Sequence, residues 1–220
     1  MTIKAILWDF GGVMTTSPFE AFSRFEVAHS LPLNFLRTIN ATNPDHNAWA
    51  RFESNVITLD EFDREFEAES SSAGHAVAGR VVLDLLGGDI RPRMVDVLKH
   101  CKAHFQVMCL TNNMNTGAGP GIWGSPARTA EVDAVMALFD EVIESSKVGM
   151  RKPDLRIYQL ACERLRAEPG EVVYLDDLGI NLKPARALGM HTIKVVSEAQ
   201  AIADLSRALG LAFPGIPDTA

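Results

Sequence analysis

Asp9 closes the apolar run AILWD, and Gly11 and Gly12 follow almost at once. Other polar groups occupy comparable places. Thr111 and Asn112 end FQVMCLTN, Asp176 and Asp177 end EVVYLDD, and SSKVGMRKPD supplies Lys147, Arg151 and Lys152. In open parallel sheets, ligands bind beyond the carboxyl ends of the strands. One crevice would then hold carboxylates, a hydroxyl and a cationic amine. That set suits phosphoryl transfer, in which a carboxylate attacks phosphorus and carries it covalently. A magnesium ion held by hard oxygens offsets the repulsion between the two anions. A lysine and a threonine hydroxyl then hold the phosphoryl oxygens. The glycines leave the backbone after Asp9 open, so its N–H groups reach phosphate oxygens and its carbonyl reaches the metal.

Taken singly, each group has a plainer reading. A strand-end aspartate often caps a helix or binds a ribose, TNN is a common turn, and KPD is a common helix start. The weight lies in their order, each at a strand end. Lys152 is preferred over Lys147 because it directly precedes the Pro-Asp helix start. Asn112 is a further candidate phosphate contact, and Asn181 is expected to orient phosphate or Asp177.

The elements that must position these residues are legible as alternating patterns. Continuous apolar runs at 3–9, 105–111, 140–146, 171–177 and 191–196 suit strands buried on both faces. Helical patterns lie between the later ones, including KPDLRIYQLACERLRA and NLKPARALGM, the latter stopped by Gly189. The expected fold is α/β, a doubly wound, Rossmann-like parallel sheet. Residues 15–87 break the rhythm and read as a small helical insert. Eight of the eleven phenylalanines lie in residues 1–71. Ser17, Pro18 and Glu20 carry a capping box at one helix start, and Thr58 and Glu61 carry another. The core is therefore assigned to 1–14 and 88–220. Residues 112–131, rich in Gly, Pro and Asn, read as a loop. His29, His46, His75 and His191 have no ligand spacing and read as solvated or structural.

Composition narrows the partners. The 220 residues carry a net charge of −7, which argues against nucleic acid or an anionic membrane surface as the main partner. No apolar run approaches the roughly 20 residues of a membrane helix, and the N-terminal run lacks the pattern of a signal peptide. A cytoplasmic location is expected, as monomer or homodimer, with a small phosphorylated metabolite as partner. The three cysteines are scattered, so neither a zinc site nor a disulfide framework is expected.

In their order, DFGGV, LTNN, KPD and YLDDLGINLKPARALGM resemble the four motifs of the haloacid dehalogenase-like hydrolases. The last stretch is similar to the subgroup holding the phosphatase-like domains of soluble epoxide hydrolases and of acyl-CoA dehydrogenase fusions. The resemblance implies Asp9 as nucleophile, Thr111 as phosphate donor and Lys152 as the ammonium. It implies Mg²⁺ on Asp9, the Gly11 carbonyl and Asp177, with Asp176 in support. It also implies that the helical insert is a cap over the site. One departure stands out. Active phosphatases of this family usually carry a second Asp two residues after the nucleophile, where this chain has Gly11. General acid–base help is worth on the order of 10²–10⁴ in rate, roughly 3–5 kcal/mol of barrier. Three readings follow: a Mg²⁺-dependent phosphatase slowed at poor leaving groups, a phospho-ligand-binding domain without turnover, and a metal-free 2-haloacid dehalogenase. The paired acids at 176–177 speak against the last.

Overall fold

The computed structural model describes residues 2–114 and 121–215; residues 115–120 of the expected 112–131 loop lie outside the described residues. Five parallel strands form one sheet: β1 (Ala5–Trp8), β2 (Gln106–Thr111), β3 (Glu141–Glu144), β4 (Val172–Asp176) and β5 (His191–Lys194). Their order is β3-β2-β1-β4-β5. The chain therefore winds outward from β1 in both directions, and the order reverses between β1 and β4. That reversal is where an open α/β sheet makes its ligand crevice.

Side chains on β1 alternate between two cores, as strand periodicity requires. Ile6 and Trp8 pack with Met94, Val97 and Leu98 of α6 (Pro92–Lys102) and with Ile202 and Leu205 of α11 (Glu198–Leu209). Ala5 and Leu7 face Ile157 and Tyr158 of α9 (Leu155–Leu165) and Leu182 of α10 (Gly179–Leu188). All four β1 side chains are fully buried, which is worth about 1.5–3 kcal/mol for each large one. The doubly wound α/β expectation holds.

Five helices precede α6: α1 (Pro18–Ala28), α2 (Phe35–Ala41), α3 (Ala48–Glu53), α4 (Leu59–Ser72) and α5 (Gly79–Asp84). They share a separate aromatic core in which Phe52 stacks on Phe62 at 4.7 Å between centroids. The capping box at Thr58 and Glu61 forms in full. The one expected at Ser17 does not: Ser17 precedes α1 without capping it, because its hydroxyl points at Asp177. The remaining α-helices among the described residues are α7 (Pro126–Met136) and the short α8 (Ser145–Val148). Helix α7 corrects the C-terminal end of the expected loop. Ser125 caps it and Pro126 opens it, a start signal that the run of glycines before it obscured. No helix among the described residues is long and apolar enough to cross a membrane.

Candidate active site

Strand register decides which tips meet. Trp8 pairs with Cys109 on one side and Leu175 on the other, so the next residue of β1, Asp9, lies level with the ends of β2 and β4. Its backbone N–H donates to the Leu175 carbonyl at 2.9 Å. Asp9, Thr111 and Asp176 are thus delivered side by side at the carboxyl edge of the sheet. Lys152 arrives from the segment between α8 and α9. Its Nζ lies 2.8 Å from Asp9 Oδ1 and 2.8 Å from Asp176 Oδ2, and it is 1% exposed. Lys147 stays on the surface, paired with Glu144 three residues earlier.

Asp9 uses one carboxylate oxygen for its fixed contacts. Oδ1 accepts from Lys152 Nζ and from the Phe10 N–H at 2.7 Å. No hydrogen bond among the described residues engages Oδ2, which leaves that oxygen for reaction. Burial, together with the Asp176 and Asp177 charges and against the pull of Lys152, raises the Asp9 pKa well above the usual carboxylate range. Burial works in the opposite direction on Lys152, but the charges of Asp176 and Asp9 outweigh it and hold the ammonium charged.

The adjacent acids of the 176–177 pair do different work. Asp176 is fully buried and saturated with donors. Its Oδ2 meets Lys152 Nζ and the Tyr174 hydroxyl, its Oδ1 accepts from Leu178 N–H at 2.7 Å, and Asn181 Nδ2 reaches both oxygens at 3.1 Å. Asn181 therefore orients Asp176, where the sequence suggested phosphate or Asp177. Asp177 is more open, touched at Oδ2 by the Ser17 hydroxyl at 3.4 Å. Burial, then the neighbouring Asp176, push its pKa up to about 6. Gly12 makes room for this carboxylate. Its φ is +74°, and a Cβ there would sit 2.3 Å from Asp177 Oδ2. Gly11 is different, exposed and with nothing within 4 Å of where a Cβ would stand.

Asp9, Asp176 and Asp177 each present an oxygen within 4.8 Å of the others. With all three carboxylates ionised, the Lys152 ammonium leaves two negative charges, which one divalent cation would balance. An all-oxygen donor set is what Mg²⁺ takes, so the residues present fit that ion. Because Asp176 is occupied by protein donors, Asp9 and Asp177 are the better direct ligands.

Thr111 is buried at the tip of β2, beside the Asp9 strand. The Asn112 side chain, a phosphate contact by expectation, bonds to the backbone of Lys152. Its Oδ1 accepts the Lys152 N–H at 2.8 Å and its Nδ2 donates to the Lys152 carbonyl at 3.0 Å, clasping the lysine backbone. Tyr174 and Glu53 were not singled out from the sequence, and Ser17 was read there only as a helix cap. Only Tyr174 had a signal there: it stands two residues before Asp176, on the same face of β4.

The family model described as haloacid dehalogenase-like hydrolase matches residues 3–189. Acyl-CoA dehydrogenase family member 10 of Mus musculus is 33% identical, over 98% of this chain and 20% of that protein. Bifunctional epoxide hydrolase 2 of Mus musculus is 30% identical, over 99% of this chain and 41% of its own length. The chain thus spans a fifth to two fifths of these longer relatives. A sesquiterpene phosphatase of Aspergillus oryzae is 25% identical, over 95% of this chain and 98% of its own length. Among solved structures, a HAD-family enzyme from Bacteroides thetaiotaomicron in complex with magnesium and inorganic phosphate superposes with a TM-score of 0.58. It is 21% identical, over 89% of this chain and 96% of its own, and shows the shared fold.

Proposed function

This chain belongs to the haloacid dehalogenase-like hydrolases, and from that premise we propose that it hydrolyses small phosphomonoesters through an aspartyl phosphate on Asp9. The observation that carries this reading is the asymmetry of the Asp9 carboxylate. One oxygen is fixed by Lys152 and the Phe10 N–H, and the other is left for attack. The likeness to a phosphatase of similar length supports it.

Asp9 Oδ2 would form the bond to phosphorus while the bond from phosphorus to the ester oxygen breaks and its electron pair leaves with that oxygen. Lys152, held by Asp176, keeps its charge against Asp9 and the phosphoryl oxygens, and the Thr111 hydroxyl donates to one of them. Asp9, Asp177 and the Gly11 carbonyl would hold Mg²⁺, which supplies charge neutralisation between nucleophile and phosphate. Water then attacks phosphorus, the bond from phosphorus to Asp9 Oδ2 breaks with its electron pair returning to the carboxylate, and inorganic phosphate leaves with the water's proton passed to solvent.

Gly11 sets the limit. No side chain there protonates the departing oxygen, so the leaving group must bear its own charge or take a proton from water. Aryl and anomeric phosphates do this more readily than alkyl phosphates. The same gap supports a second reading, a domain that holds a phosphorylated ligand without turning it over. The test is release of phosphate from p-nitrophenyl phosphate, with and without Mg²⁺, by wild type and Asp9→Asn. Mg²⁺-dependent release abolished by Asp9→Asn supports the hydrolase. Binding of phosphate with no release from any ester supports the second reading.

A further inference from the structure

Glu53, the last residue of α3 in the helical insert, is nearly buried and lies against the core. Its Oε2 accepts from Arg151 Nε at 2.6 Å and from Asn112 Nδ2 at 3.3 Å. Its backbone carbonyl accepts from the Ser145 hydroxyl at 2.8 Å. These partners follow two neighbouring core strands: Asn112 lies just beyond β2, Ser145 just beyond β3, and Arg151 further along the same connection, immediately before Lys152. Arg151 also donates from Nη1 to the Pro44 carbonyl, so it grips the insert at two points. Asn112 clasps the Lys152 backbone through both ends of its amide. A continuous chain of contacts therefore runs from the insert, through Asn112 and Arg151, to the backbone that carries the ammonium beside Asp9.

We propose that Glu53 is a positioning residue through which the closed helical insert fixes Lys152, so that the ammonium is fully set only when the insert is seated. A buried carboxylate needs partners to be tolerated there, and the guanidinium and amide that satisfy it are unavailable if the insert swings away. Seating the insert and ordering Lys152 are thus one event. The proposal rests on the phosphohydrolase reading for its kinetic consequence, but its structural content stands apart from that reading.

The experiment is a double-mutant cycle of Glu53→Gln and Arg151→Gln in the full chain. It is read by steady-state kinetics on p-nitrophenyl phosphate with Mg²⁺ and by hydrogen exchange at the Lys152 amide. Lys147→Gln serves as the surface control. The expected result is a loss in kcat on the order of tenfold to a hundredfold in either single variant, with a smaller change in KM. The double variant should be little worse than either single one. The Lys152 amide should exchange faster in both variants and unchanged in the control. Wild-type kcat and wild-type exchange in Glu53→Gln, or losses that add in the double variant, overturn the proposal. If the wild-type chain turns over no ester, that result counts against the hydrolase reading, and the exchange measurement alone decides on Glu53. If Glu53→Gln fails to fold, Arg151→Lys, which keeps the charge but not the Nε geometry, takes its place with the same expectations.

Discussion

Lys152 Nζ stands 2.8 Å from both Asp9 Oδ1 and Asp176 Oδ2, a single ammonium between two buried carboxylates. Burial raises the Asp9 pKa and the lysine's charge offsets part of that, while the lysine keeps its own charge in a dry site because of the two acids. Removing one partner of such an arrangement costs far more than the pair contributes, because the remaining charges are left stranded. Lys152→Met is therefore expected to lower stability by about 3–5 kcal/mol in the metal-free protein. Lys147→Met, at an exposed pair, should cost about 0–1 kcal/mol. Urea unfolding of the two variants in chelator checks this; equal losses would mean that the buried trio is not a structural unit.

Gly11 leaves space where a second acid would stand. Gly11→Asp should fit without displacing a neighbour and supply the missing proton donor. Turnover of an alkyl phosphate is expected to rise on the order of 10²-fold, with little change for p-nitrophenyl phosphate. Comparing kcat/KM for the two esters in wild type and variant checks it. Wild-type rates already equal on both esters, or a parallel change in both, would remove the leaving-group argument.

Gly12 meets the opposite constraint. A Cβ there would press on the Asp177 carboxylate, and φ of +74° is unfavourable for any other residue. Gly12→Ala should displace Asp177 and weaken Mg²⁺ binding at least tenfold, on the order seen when groups that orient a metal ligand are lost. Calorimetric titration with Mg²⁺ measures this directly. Unchanged affinity would take Asp177 out of the metal set.

Asp177 also predicts a pH dependence. Its folded pKa, raised to about 6 by burial and by Asp176, lies above its unfolded value. The metal-free folded state therefore binds the proton more tightly than the unfolded chain. The stability this contributes is present below about pH 4 and lost as pH rises through about 6. On the proposed metal assignment, Mg²⁺ would displace that proton and bind only the folded chain, so its stabilisation should grow over the same window. Thermal melts should show a larger rise in Tm on adding Mg²⁺ near pH 8 than near pH 5. The reverse order would contradict the assignment.

Much of this site was readable before any coordinates, because β-strands place their chemistry at their ends and apolar runs mark those ends. Asp9, Thr111 and Asp176 stand at adjacent tips for that reason. What escaped the sequence depends on contacts between distant segments. Ser17 has the spacing of a helix cap, yet its hydroxyl serves Asp177, 160 positions away. Asp176 and Asp177 look alike in the chain. The strand's alternation turns the first inward to Lys152, Tyr174 and Asn181 and leaves the second at the opening. Glu53 ends a short helix between Phe52 and Ser54, and nothing local marks it, since its partners lie 59 and 98 positions further on. Ser125 and Pro126 carried a helix start that the surrounding loop composition masked.

The central claim is that Asp9 becomes covalently phosphorylated. Without an acid–base group at Gly11 to activate water, the second step should be slowed as well, so the intermediate should build up. Acid quenching of wild-type protein during turnover of p-nitrophenyl phosphate with Mg²⁺, followed by peptide mass spectrometry, should find one phosphoryl group on Asp9. Hydroxylamine should remove it, and Asp9→Asn should lack it. Steady turnover with Asp9 unmodified, or phosphoryl transfer to another residue, would contradict the account.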